Sequence, residues 1–255
     1  MNIAIITGAS SGMGWEFARR LDGLLKKTDE IWLLARRKDQ LDALAAQMKT
    51  KTRAIAIDLT SQKELAQFAE VLSIRNAGIT VLINCAGVGK YGAFSKLDAR
   101  ECSDMLHLNV LALTEMTRLC LPYLRKGSRI LNLASGAAFL PQADFAVYAA
   151  SKAYVYSLSR ALEKELHERG IHVTTVCPGP VDTPFLNHAY DSPACMSGLK
   201  KLTMETTKRV VETALQDSMR GKAVSVCGLP MKFLYLATQS VQNMIQIFIY
   251  MRKPG

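Results

Sequence analysis

Tyr148 and Lys152 stand four residues apart in the stretch "FAVYAASKAY" (145–154), a spacing that places both side chains on one face of a helix. Ser135 ends the apolar run "RILNLAS" thirteen residues before Tyr148, and Asn109 interrupts the apolar stretch "HLNVLAL". These residue types suit carbonyl–alcohol interconversion. Reducing a carbonyl by hydride requires a proton donor at the forming alkoxide, and a phenol can supply that proton. With a reference pKa of ~10, tyrosine is seldom ionised at neutral pH. A neighbouring ammonium such as Lys152 favours the phenolate, and a shift of about 3 units corresponds to roughly 4 kcal/mol. Tuned in this way, Tyr148 protonates an alkoxide in one direction and deprotonates an alcohol in the other. Ser135 would hydrogen-bond the substrate oxygen, and Asn109 would hold a water in the proton path.

A hydride needs a carrier, and the N-terminus offers a place for one. The loop "TGASSGMG" (7–14) follows an apolar run and opens a helical pattern. Gly8, Gly12 and Gly14 permit a tight turn and close approach to a pyrophosphate, and the helix start supplies free N–H groups. Ser10, Ser11 and Met13 complete the loop. A second apolar run, in "IWLLARRKDQ" (31–40), leads into Arg36 and Arg37, with no acid at 34–38 to accept from a ribose hydroxyl. Two guanidinium groups fit a 2′-phosphate instead, which selects NADP(H) over NAD(H).

Apolar β-type runs at 2–6, 30–34, 53–57, 80–83, 129–134, 171–176 and 223–226 must position these groups. They alternate with helical patterns near 13–26, 38–49, 61–75, 98–124, 146–169 and 204–219. Continuous apolar strands between helices predict an α/β chain: one Rossmann-type doubly wound domain over 1–255, with a seven-stranded parallel sheet flanked by helices. Two segments break the rhythm. Residues 182–203 mix turn residues with isolated large apolar ones and read as a substrate lid. The segment 229–251 is an extra apolar C-terminal helix, with Leu234, Ala237, Val241, Met244, Ile245 and Phe248 on one face. That face packs on the core or on a neighbouring subunit in the first reading, and touches a membrane or covers substrate in the second.

Composition narrows the class. The chain is 49% hydrophobic and 21% charged, as a globular enzyme is. Its six cysteines form no C-x-x-C pair, and none of the four histidines takes metal-ligand spacing, so no metal is expected and a reducing cytoplasm suits the chain. Neither a signal peptide nor a spanning segment is expected. The charge of +10 is dispersed along the sequence, which speaks for a phosphate pocket rather than nucleic-acid binding.

The order of motifs resembles the short-chain dehydrogenase/reductase family over residues 2–226. The resemblance rests on the "TGASSGMG" loop, "DL" at 58–59, "NCAG" at 84–87, Asn109, Ser135, "YAASK" at 148–152 and "PGPVDT" at 178–183. It implies that Asn109, Ser135, Tyr148 and Lys152 form a catalytic tetrad, Lys152 also contacting the nicotinamide ribose. It further implies that Asp58 and Leu59 border the adenine and that Asn84, Ala86 and Gly87 line the cofactor. Pro178, Gly179, Val181 and Thr183 would flank the nicotinamide, and a homodimer or homotetramer is implied. Cys85 departs from the pattern, which often has a second Asn there. More loosely, the chain is similar to the subgroup of hydroxysteroid dehydrogenases and related bacterial reductases. Phe139, Leu140, Phe145, Phe185, Leu186, Tyr190 and Met196 then favour a hydrophobic ketone or alcohol, such as a hydroxysteroid or bile acid. The competing readings are a ketoacyl reductase at a membrane surface and a non-catalytic NADPH-binding protein.

Overall fold

The computed structural model describes residues 1–24, 28–189 and 204–238. The predicted alternation holds among these residues. Strands β1 (Asn2–Thr7), β2 (Glu30–Ala35), β3 (Thr52–Ala56), β4 (Gly78–Asn84), β5 (Leu124–Leu133), β6 (His172–Val176) and β7 (Val224–Ser225) form one sheet in the order β3-β2-β1-β4-β5-β6-β7. Every pairing is parallel. The strand order reverses between β1 and β4, and the crevice at such a switch point is where open α/β sheets bind ligands.

Helices cover both faces: α1 (Gly12–Leu21), α2 (Lys38–Ala45), α3 (Gln62–Arg75), α4 (Ala99–Leu106), α5 (Leu113–Cys120), α6 (Ala146–His167), α7 (Pro184–Ala189) and α8 (Thr207–Met219). The strands therefore alternate between two apolar layers rather than between core and solvent. Ile3, Ile5, Trp32 and Leu34 join Phe68, Met116 and Leu166 on one side. Ala4, Ile6, Ile31 and Leu33 join Phe17, Leu41 and Val211 on the other. Trp32 meets Phe68 edge-on at 6.1 Å, and the Arg53 guanidinium lies 5.2 Å from the Trp32 ring centre. A buried pair of this kind contributes about 1 kcal/mol beyond its burial.

Three elements differ from the sequence expectation. Strand β5 begins at Leu124, but its register jumps, pairing Leu124 with Ile79 and Arg129 with Val81. Residues 125–128 bulge between those pairs. Ser128 stitches the bulge, accepting from the Arg125 amide at 2.9 Å and donating to the Ile79 carbonyl at 2.6 Å. The single helix expected over 98–124 is α4 and α5 joined by a π-helical turn, His107–Ala112. The 182–203 stretch contains α7, and its residues 190–203, with the lid candidates Tyr190 and Met196, lie outside the described residues.

The C-terminal extension is helical over 229–238, and residues 239–255 lie outside the described residues. Gly228 at φ +83° and Pro230 in the first turn set its start. Leu234 faces the core as expected, but Ala237 is exposed. The inward stripe is Met231, Leu234 and Tyr235, which pack with Phe139, Val155 and Tyr156.

Candidate active site

The phosphate loop leaves β1 at Thr7 and is built on contacts that only glycine allows. Gly8 has φ +67°, and a Cβ there would lie 2.8 Å from the Ala86 amide nitrogen. On Gly14, a Cβ would come within 2.2 Å of the Gly8 carbonyl oxygen. Helix α1 then starts with no capping side chain and no acid in its first turn. Its opening N–H groups and positive dipole end are left for an anion. Ser11, the residue in the capping position, is occupied otherwise. The Arg37 guanidinium donates to Ser10 Oγ and Ser11 Oγ, both at 3.0 Å. One of the two predicted arginines is thus fastened to the rim of the phosphate loop.

The charge of Arg36 acts on Asp58. Burial pulls the Asp58 carboxyl up, yet its hydrogen bonds from the Thr60 amide and hydroxyl and the charge of Arg36 together hold it below the usual carboxylate value. Leu59 beside it is buried. The far side of the loop is closed by the segment after β6. Thr183 is buried, and its Cβ would lie 3.6 Å from a Cβ on Gly12. Val181 pairs with Glu205, and the Pro178 carbonyl accepts from the Gly136 amide at 2.8 Å. Gly179 stands between them, half-buried. Arg37 and the 178–183 segment thus both stand against the phosphate loop, and the charge of Arg36 acts on Asp58. The glycine cradle, uncapped helix end and two cations fit a dinucleotide carrying an additional phosphate.

Asn84 lines a small cavity with Thr7, Leu59 and Ala86. Its side chain is buried under the sheet, donating to Thr117 Oγ1 at 2.9 Å and Asn132 Oδ1 at 2.8 Å. Asn132 continues to Ser159 Oγ at 2.9 Å, so this network locks β4 and β5 to α5 and α6. Ala86 and Gly87 take the neighbouring places in the loop, and the Cys85 and Ala86 amides are held by Thr7 Oγ1 at 3.0 and 3.2 Å.

Three of the catalytic candidates meet near Gly87: a Cβ there would lie 3.0 Å from Asn109 Oδ1 and 3.3 Å from Lys152 Nζ, and Lys152 lies by the Tyr148 ring. Lys152 is buried and donates to the Leu133 carbonyl at 2.8 Å, with Nζ 5.7 Å from the centre of the Tyr148 ring. Desolvation lowers its pKa from 10.5 to about 8. Burial likewise pushes the adjacent Cys85 thiol up to about 12, so the cysteine in the unusual position is an inert neighbour. Ser135 follows the end of β5 in an extended conformation, and its Oγ accepts from the Ala137 amide at 3.1 Å. That bond uses an acceptor site of the hydroxyl and leaves its proton to donate.

Asn109 lies in the π turn, fully buried. Its Oδ1 accepts from the Val88 amide at 2.9 Å, and its Nδ2 donates to the Val88 carbonyl at 2.8 Å and to Ser151 Oγ at 3.0 Å. Both amide hydrogens are used on protein partners, so the side chain holds the loop after β4. Ser151 in turn donates to the Tyr148 carbonyl at 2.7 Å. The chain Val88–Asn109–Ser151–Tyr148 thus couples the carrier loop to the catalytic helix. Ser151, Val88 and Thr7 escaped the sequence reading because only the fold brings them to the site.

Tyr148 carries an apolar wall. Phe145 stacks on its ring at 4.3 Å and 21°, and Phe185 from α7 lies 5.5 Å away. A Cβ on Gly89 would meet all three rings, at 2.7 Å from Phe185, 3.0 Å from Tyr148 and 3.3 Å from Phe145. Leu186 packs on the same cluster, Leu140 is exposed, and Phe139 packs instead against Tyr156 and Tyr235. Phe139 is thus core rather than pocket.

The short chain dehydrogenase family matches residues 2–193 of the chain. An uncharacterized oxidoreductase of Staphylococcus epidermidis is 32% identical over 184 residues, covering 71% of this chain and 79% of the relative. Among solved structures, a short-chain dehydrogenase from Sphingobium yanoikuyae in complex with NADPH superimposes with a TM-score of 0.83 at 28% identity, over 100% of this chain and 99% of its own. The bulky-bulky ketone specific alcohol dehydrogenase from Comamonas testosteroni does so with a TM-score of 0.77 at 27% identity, over 96% and 94%.

Proposed function

The chain belongs to the short-chain dehydrogenase/reductase family, and from that premise we propose that it is an NADP(H)-dependent oxidoreductase interconverting an apolar ketone and its secondary alcohol. The observation that carries this reading is the setting of Tyr148. Its ring lies between an apolar wall of Phe145 and Phe185 and the buried Lys152 Nζ. NADPH supplies the hydride. Tyr148 gives its phenolic proton to the alkoxide and takes it back in oxidation, while the Lys152 ammonium stabilises the phenolate left behind. Ser135 donates its free hydroxyl proton to the substrate oxygen, and the Asn109–Ser151 chain keeps Tyr148 in register with the carrier loop. Arg36 and Arg37 select the phosphorylated nucleotide, a preference supported by the NADPH found with the Sphingobium relative. The aromatic wall favours bulky apolar ketones, the specificity named for the Comamonas relative.

Substitution of Tyr148 by Phe keeps the stacking surface and removes only the proton. Turnover should fall by roughly 10²–10⁴-fold, with NADPH binding nearly unchanged. NADPH absorbance followed across steroids, bile acids, diketones and 3-ketoacyl thioesters checks both points. Full activity in Tyr148→Phe would overturn the assignment. NADPH binding without turnover of any of these carbonyls would leave only a nucleotide-binding protein.

A further inference from the structure

Glu205 belongs to no motif of the sequence, yet it meets three segments at once. Its backbone forms a parallel bridge with Val181. The Glu205 amide donates to the Pro180 carbonyl at 3.0 Å, and the Asp182 amide donates to the Glu205 carbonyl at 3.4 Å. Arg209 of α8 donates to its carboxylate at 3.0 Å, and the Glu205 side chain is only 13% exposed. The other carboxylate oxygen stands at the foot of the C-terminal helix, where a Cβ on Gly228 would come within 2.6 Å of it. An apolar contact accompanies these polar ones: Val181, Val210 of α8 and Cys227 pack together with Met13 of the phosphate loop.

The segment that Glu205 braces lies between the phosphate loop and the substrate-binding serine. At one end the Pro178 carbonyl accepts from the Gly136 amide, next to Ser135. At the other, Thr183 stands against Gly12 and Val181 packs on Met13. A dinucleotide with its pyrophosphate on the loop and its reacting ring beside Ser135 and Tyr148 has to pass along 178–183. Its other half goes the opposite way. In the sheet, β2 and β3 lie on one side of β1, and β4 to β7 on the other. Arg36 and Arg37 follow β2, whereas 178–183 follows β6, so the two halves of the carrier rest on different parts of the protein.

We propose that Glu205 is a positioning residue for the reacting half of NADP(H), acting through 180–182 rather than by touching the carrier. The proposal rests on the reading that the chain binds NADP(H). Two backbone hydrogen bonds are too few to fix a strand pair unaided. The carboxylate supplies the missing anchor, since Arg209 ties it to α8 while it fills the space that Gly228 leaves open. The nicotinamide segment is thereby fastened to α8 and to the foot of the C-terminal helix together.

The test compares titrations of the full-length protein with NADPH and with 2′-phosphoadenosine 5′-diphosphoribose, the same nucleotide without its nicotinamide. Glu205→Ala withdraws the carboxylate from both Arg209 and Gly228. It should weaken NADPH about tenfold, the worth of one hydrogen bond to a charged group, and leave the fragment unchanged. Glu205→Gln keeps the length and an oxygen acceptor for Arg209, and should restore most of the NADPH affinity. Where the alanine variant does not fold, Glu205→Asp draws the carboxylate back by one methylene and should show the same selective loss. Equal losses for the two nucleotides, or no loss for either, would overturn the proposal, because a brace for the fold at large moves both alike. So would a glutamine variant as weak as the alanine one. A wild type that binds neither nucleotide would instead overturn the carrier reading itself, so the two failures are told apart without any measurement of turnover.

Discussion

Arg37 shows how far a single residue type can be read before any fold is known. The missing acid at 34–38 already implied a phosphate in place of a ribose hydroxyl. The structure adds that Ser10 and Ser11 hold the guanidinium at the loop, a partnership no local spacing announces. Replacing Arg36 and Arg37 together with Gln should weaken NADPH roughly 10–100-fold more than NADH in a binding titration. Equal losses would show that the pair does not recognise the 2′-phosphate. Lys152 yields a second residue-scale expectation. In the unfolded chain it titrates near 10.5 and in the folded protein near 8, so between those values the unfolded state holds the additional proton and stability rises with pH. Below about pH 8 both states are protonated and the fold carries the whole cost of burying an ammonium. The difference of roughly 2.5 units amounts to about 3 kcal/mol. Urea unfolding without nucleotide should therefore show wild type gaining about 3 kcal/mol on Lys152→Met from about pH 7 to about pH 11. A difference that stays flat across that range would mean the ammonium is solvated in the folded protein.

At the scale of elements, the seven-stranded parallel sheet was legible because strands with both faces covered read as unbroken apolar runs. The π turn was not. The apolar periodicity of 98–124 continues through His107–Ala112, and one inserted residue in the hydrogen-bond ladder leaves hardly a trace in it. Its consequence is visible only in three dimensions. The turn swings Asn109 inward to satisfy both backbone groups of Val88, as a neighbouring strand would. The same limit hides the side-chain partners of Asn84, Thr117 and Asn132, which lie far from it in sequence. Truncating Asn109 to Ala strips the Val88 amide and carbonyl of their partner and breaks the link to Ser151. The expected cost is about 2–3 kcal/mol of stability by chemical denaturation and on the order of 10²-fold in kcat. Because the carrier loop moves with Val88, NADPH affinity should fall as well, unlike in Tyr148→Phe. Retained kcat with normal NADPH binding would remove the coupling role.

Across the whole molecule, the described part of the C-terminal helix joins the end of the chain to the active site. Sequence pattern marked the segment as an apolar helix with Leu234 and Ala237 on its inner face, but only Leu234 of these turns inward, because large apolar residues occur all around the helix. The structure resolves this through one close approach: Gly136 lacks a side chain where Met231 fills the space beside Ser135. Phe139 and Tyr235, at 5.3 Å, extend the contact, and Tyr156 on α6 meets Phe139 edge-on at 5.9 Å. Two turns along α6 from Tyr148, that cluster ties the helix to the same element that carries Tyr148 and Lys152. Met231 is 9% exposed, so Met231→Ala opens a cavity and should cost about 2–4 kcal/mol. If the helix only covered the core, kcat at saturating substrate would survive in the fraction that remains folded. If it fixes the turn after β5, kcat should fall with the loss of Ser135 placement, and Met231→Leu, which refills the volume, should restore both stability and turnover. Unfolding midpoints and kcat measured side by side on the two variants decide between these outcomes, and stability lost without any loss of kcat would confine the helix to packing.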